Sequence, residues 1–123
     1  MLFETSVDIT SDGSGDATVY LGDKIRGFVM SIRYLPGTLA TGADLTITGE
    51  DSGVPILTKA NAGTSDVVFY PRALASQVAD GANGSTGTEL IPLVDERVKV
   101  VVAQGGATKA GTIKLVYMTR SPY

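Results

Sequence analysis

Apolar and polar residues alternate along most of this chain with a period of two, and clusters of turn residues interrupt the alternation every 8–14 residues or so. Side chains on an extended strand point alternately to opposite faces, so each segment has one face to bury and one to leave in water. LFETSVDI places Phe3, Thr5, Val7 and Ile9 on one face, and DATVYLG sets Ala17, Val19 and Leu21 against Thr18 and Tyr20. DKIRGFVMSIRYL, residues 23–35, is longer, and its Gly27 suggests a bulge. ADLTITGE, VPILTKA, DVVFYPR, TELIPLV, ERVKVVVAQGG and GTIKLVYMTR complete the set, with Pro55 marking a strand entry or sheet edge. The expected class is all-β. A two-sheet antiparallel sandwich, jelly-roll-like, of about eight strands is preferred, with an immunoglobulin-like sandwich or small barrel as alternatives.

Helical spacing surfaces once, in RALASQVADGANGSTG (Arg72 to Gly87), where Leu74 and Val78 sit four residues apart. The reading there is one short helical turn over Arg72–Ala79, tucking Leu74 and Val78 against the sandwich or a neighbouring subunit, followed by a mobile tip over Asp80–Gly87.

What the chain lacks narrows its chemistry. Its 123 residues suit one domain spanning 1–123, and among them are no histidine and no cysteine. Ser-His triads, HExxH sites, thiolate metal sites, disulfides and cysteine nucleophiles are therefore excluded. The net charge is −3 and the ten Lys and Arg are scattered, which argues against a nucleic-acid footprint. No run approaches the roughly 20 apolar residues of a membrane-spanning helix, and MLFETSVDIT has no signal-peptide pattern. The expectation is a non-enzyme without cofactor or metal, with neither nucleic acid nor membrane as partner.

Three segments invite a chemical reading. SDGSGD, residues 11–16, resembles a calcium loop, but glycines stand where ligands are needed, so a hairpin turn is expected. AQGGATKAG, residues 103–111, lacks the spacing and following helix of a phosphate loop and reads as a hairpin loop with a solvated lysine. In VDER, Asp95 and Glu96 are adjacent on an extended chain and so point apart, which defeats a paired acid–base role. Arg97 could bridge to a neighbouring loop. Five tyrosines and three phenylalanines could form a sugar platform, yet without tryptophan they read better as core and cross-strand pairs. Charged residues are only 19%, and such depletion accompanies buried protein contacts.

Three stretches, YLPGTLATGADLTITGEDSGVPILTKANAG (34–63), YPRALASQVADGANG (70–84) and IPLVDERVKVVVAQGGATKAGTI (91–113), resemble a group of small virion proteins of tailed bacteriophages and prophages. The resemblance covers about two thirds of the chain and brings no catalytic residues with it. It implies a structural virion protein, assembled in the host cytoplasm, and capsid decoration or cement proteins are the natural class. The implied partners are the major capsid protein or another virion protein, with the chain itself a homo-oligomer, dimer or trimer. A neck, tail or baseplate component, or a carbohydrate-binding module, is the alternative. The expected protein–protein interface comprises Leu2, Phe3, Arg72, Leu74, Gln77, Val78 and Asn83, with the N-terminal residues free to add a strand to a partner's sheet.

Overall fold

A computed structural model describes residues 1–119. Arg120, assigned by its sequence to the last strand, and Tyr123 of the aromatic set lie outside the described residues. The described residues form eleven strands: β1 (Leu2–Thr10), β2 (Ala17–Tyr20), β3 (Ile25–Leu35), β4 (Asp44–Gly49), β5 (Pro55–Lys59), β6 (Val67–Phe69), β7 (Ala73–Ser76), β8 (Asn83–Glu89), β9 (Ile91–Glu96), β10 (Val98–Ala103) and β11 (Ala110–Met118). No described residue is helical. The protein is all-β, and every strand pairing is antiparallel.

One sheet runs β1-β11-β3-β6, with β9 also paired to β3, and a second runs β2-β10-β4-β5. β7 and β8 pair only with each other. Alternation decides the burial. In β10, Val98, Val100 and Val102 are buried while Lys99, Val101 and Ala103 are half-buried. In β11 the inward set is Ile113 and Leu115, joined by Tyr117, as the period predicts. These side chains, with Ile9, Ile25, Val29 and Ile32 of the first sheet and Leu45, Ile47 and Ile56 of the second, form one hydrophobic cluster. Each fully buried Ile, Leu or Val contributes about 1.5–3 kcal/mol, so this cluster dominates the favourable side of folding.

The Gly-rich segments join strands of different sheets, where hairpins within one sheet were expected. Residues 11–16 carry the chain from β1 to β2, and residues 104–109 carry it from β10 to β11. The two loops are stitched together. Ser11 N–H donates to Lys109 O at 2.8 Å, Thr108 N–H to Asp12 O at 3.0 Å, and Gly105 N–H to Gly15 O at 2.8 Å. Asp12 turns its own carboxylate back on the loop, accepting from Ser14 N–H at 2.8 Å and Asp16 N–H at 3.0 Å. The Asp16 and Ser14 amides hold that carboxyl below the usual range. The carboxylate that a calcium loop would have needed is thus occupied as a turn acceptor.

Two irregularities shape β3. Against β11 the register steps between Val116 and Tyr117, leaving Met30 as the extra residue. Against β9 it steps between Ile25 and Arg26, where Asp95 is the extra residue with φ 57°. The bulges therefore lie on either side of Gly27 and not at it. Gly27 answers a different need, because a Cβ there would collide with the Met118 carbonyl of β11. Pro55 opens β5 at the edge of its sheet, as expected.

Tyr34 is the largest fully buried side chain, and no described residue hydrogen-bonds its hydroxyl. Burial pushes its phenol pKa up. Tyr34→Phe removes no hydrogen bond to a described residue, so unfolding free energy by chemical denaturation should stay within about 0.5 kcal/mol of the parent or rise. A loss above about 1 kcal/mol would show that the hydroxyl holds a partner.

Candidate interaction surface

β6 and β9 lie on the same side of β3 and run in the same direction. Phe69 pairs with Ile32 at the end of β6, and Ile91 pairs with Val29 at the start of β9. They are two halves of one strand position, and residues 70–90 form an excursion between them. Met30 and Ser31 of β3 face the interruption. There Arg72 substitutes for the missing strand, donating from Nη1 to Met30 O at 3.0 Å and to Pro71 O at 2.7 Å. Pro71 is buried beside it, whereas Tyr70 is exposed.

The excursion is a two-stranded arm. Ala73 pairs with Glu89, Leu74 with Thr88 and Ser76 with Asn83, with extra residues on the β8 side. Its tip closes through Gln77 N–H to Ala82 O at 2.7 Å and Gly81 N–H to Gln77 O at 2.8 Å. Asp80 caps the turn by accepting from Ala82 N–H at 3.0 Å, and Gly81 supplies the positive φ of 73°. This corrects two expectations: Arg72–Ala79 holds strand β7 and no helical turn, and Asp80–Gly87 is mostly strand β8. The four-residue spacing of Leu74 and Val78 spans too few residues to nucleate a helix, and the Asp80-Gly81 pair is a hairpin signal that overrides it. Neither apolar side chain is tucked against the rest of its own chain. Val78 stands fully exposed at the tip and Leu74 is exposed as well.

Three of the expected interface residues converge. Arg72, Leu74 and Asn83 line one cleft of about 320 Å³ between the arm and β5, whose lining also includes Ile56 and Ile91. Gln77 and Val78 belong to the turn beyond it. Leu2 and Phe3 do not join them, for β1 is the opposite edge of its sheet, about 14 Å away across three strand spacings. Nor is the N-terminal segment a free arm. Every residue of β1 is registered against β11, from Leu2 opposite Met118 to Thr10 opposite Ala110. Phe3, 42% exposed, stacks on Tyr117 at 5.5 Å.

The other aromatics are dispersed: Tyr20 lies under Arg97, whose guanidinium carbon is 4.5 Å from the ring centroid, and Tyr34 is buried. Among the described residues no group of three or more Asp or Glu is arranged to hold a metal ion.

The VDER segment acts as a clamp. Asp95 and Glu96 point apart, as their adjacency requires. Asp95 pairs with Arg26 at 3.2 Å in solvent, and that guanidinium holds its carboxyl below the usual range. Glu96, 4% exposed, accepts at Oε1 from Ser52 N–H and Asp51 N–H, both at 3.0 Å, and from Ser52 Oγ at 3.1 Å. Gly49 makes room for it, since a Cβ there would strike the same oxygen. Arg97 grips Glu50 with Nε and Nη2, each 2.6 Å from a different carboxylate oxygen. The turn between β4 and β5 is thereby fastened from both sides. Sequence reasoning anticipated the bridge from Arg97 but not the buried acceptor, because nothing local marks which loop will supply amides to Glu96.

Donation from Ser52 N–H, supported by its hydroxyl and Asp51 N–H, holds the Glu96 carboxyl below its ordinary value. A depressed folded-state pKa adds stability above the unfolded value of about 4.3, and that stability is lost as pH falls through the folded value. Glu96→Gln should therefore cost about 1–3 kcal/mol at neutral pH. In urea titrations from pH 7 down to about 2, the gap between parent and variant should close below about pH 4. A gap independent of pH would refute the assignment.

Comparison with known proteins finds no family model that matches the chain and no curated relative.

Proposed function

We propose that this chain is a structural virion protein of a tailed phage, in the capsid decoration or cement class, that docks on the capsid lattice through its arm. The observation that carries the reading is the arm itself, a hairpin of exposed side chains thrown out from the middle of a paired strand position. An isolated two-stranded hairpin is marginal in water, and a third surface packed against it supplies what it lacks. Between Ala73 and Thr88 its only charged residue is Asp80, a composition suited to desolvated contact. The resemblance of residues 34–63, 70–84 and 91–113 to small phage virion proteins supports the same class.

The finer fold reading is a two-sheet jelly roll. Setting aside β7, β8 and β9 and renumbering the other eight strands in chain order gives paths 1-8-3-6 and 2-7-4-5. That alternation between sheets is the wiring of a double Greek key, the architecture common in viral capsid domains. In this reading β9 completes the strand position that β6 begins. A neck, tail or baseplate location is the second reading within the class, since the arm would serve a ring of subunits equally well.

Reconstruction of the particle containing this chain tests the location. Density on the outer face of the shell is expected, and density confined to the neck or tail, or none, overturns the decoration role. Deleting residues 79–87 tests the arm. The thermal midpoint should move by no more than a few degrees, because the arm pairs only with itself, while co-sedimentation with shells lacking the protein should be lost. Unfolding of the shortened chain, or undiminished binding, would overturn the arm's role.

A further inference from the structure

The outer faces of the two main sheets differ in kind. On the β2-β10-β4-β5 sheet, threonines fill much of the outward positions, with Thr18, Thr46 and Thr58 in one row across Val101. On the other sheet, residues directly opposite in register share a face, and one row reads Leu2–Met118–Phe28–Pro92 across four strands. Val94, 83% exposed, lies two residues beyond Pro92 on that face, and Leu2 is 57% exposed. A contiguous apolar row in water marks an interaction surface.

Charge on the same face is divided into columns. Lys114 of β11 and Arg33 of β3 stand directly opposite each other, and neither forms an ion pair with a described residue. Like charges facing across a ladder are destabilising, so this pair calls for an anionic cover. β1 carries the matching acids. Glu4 and Asp8 flank Ser6, which is the residue opposite Lys114, so they share the outward face with it.

We infer that this face packs against the same face of a second copy of the chain in a two-fold dimer. An axis parallel to the strands and running along β11 turns the acidic column on β1 of one copy over Arg33 on β3 of the other, with the two Lys114 side chains meeting on the axis between those columns. The same rotation keeps height along the strands, so the apolar row meets its own counterpart. Each favourable contact then occurs twice, as an isologous interface requires, with the sheets about 10 Å apart. The inference takes up the homo-oligomer that the resemblance implies and stands whether or not the chain belongs to a virion.

Sedimentation of the full chain across the micromolar range tests it, with thermal unfolding as the control for folding. The parent should be a dimer that weakens with added salt. Arg33→Glu with Lys114→Glu, and separately Glu4→Lys with Asp8→Lys, should each raise the dissociation constant by about ten-fold or more. An equimolar mixture of the two double variants should recover a dimer, because their faces are complementary to each other and to neither self. Leu2→Ser, which changes no charge, should weaken the dimer while leaving the fold intact, because Leu2 lies over β3 of the second copy and is 57% exposed in the single chain. A monomeric parent, a trimer, a dimer indifferent to these changes, or a mixture that fails to associate would each overturn the inference. Particle reconstruction bears on the virion reading alone, so the two can fail separately.

Discussion

The rest of the structure hangs on the pairing of β3. This eleven-residue strand takes β11 along one side and shares the other between β6 and β9. Its inward residues Ile25, Val29, Ile32 and Tyr34 are fully buried. Interrupting a partner of such a strand would ordinarily leave backbone groups facing nothing. Here the break coincides with Met30, the residue bulged against β11, and the Arg72 guanidinium reaches its carbonyl. A charged donor in place of a backbone amide makes a strong hydrogen bond and keeps the gap satisfied. The arm is affordable at this point because one side chain supplies what the strand withdrew.

Much of the architecture was legible in the residues because burial of one face imposes a period of two. Ile113, Leu115 and Tyr117, or Leu45 and Ile47, declare their faces without help from the rest of the chain. Two kinds of feature were not legible. Whether a Gly-rich turn joins neighbours in one sheet or crosses to another depends on long-range pairing, so residues 11–16 and 104–109 read as hairpins and are corners. The segment from Arg72 to Gly87 misled for a different reason: its glycines and serines carry little hydrophobic pattern, and the backbone pairing of β7 with β8 holds it in shape. Of the expected interface residues, Arg72, Leu74 and Asn83 share a cleft while Leu2 and Phe3 sit across the sheet, and only the strand order reveals that division.

Neighbouring residues at the end of β9 show how little sequence distance says about environment. Asp95 adopts a positive φ as a bulge and lies in water against Arg26, while Glu96 is buried beneath Gly49 and takes hydrogen bonds from the turn at residues 51–52. Arg97 then reaches back to Glu50 and covers the Tyr20 ring. Three consecutive side chains thus tie together a β3 contact, the β4–β5 turn and the β2 edge. The Asp95 pair is exposed and contributes at most about 1 kcal/mol, whereas removing the buried Glu96 acceptor would strand several donors.

The hairpin within the split strand also bears on the order in which the chain can assemble. β9 must find β3 after 21 intervening residues, 70–90, have left the ladder at Phe69. Once Ala73 pairs with Glu89, the closure that remains involves only a handful of residues. The difference in loop entropy is about 1 kcal/mol, enough to favour routes in which the local hairpin closes before β9 docks. The arm is then a kinetic bookmark for the strand it interrupts: it holds the place in β3 to which the chain returns.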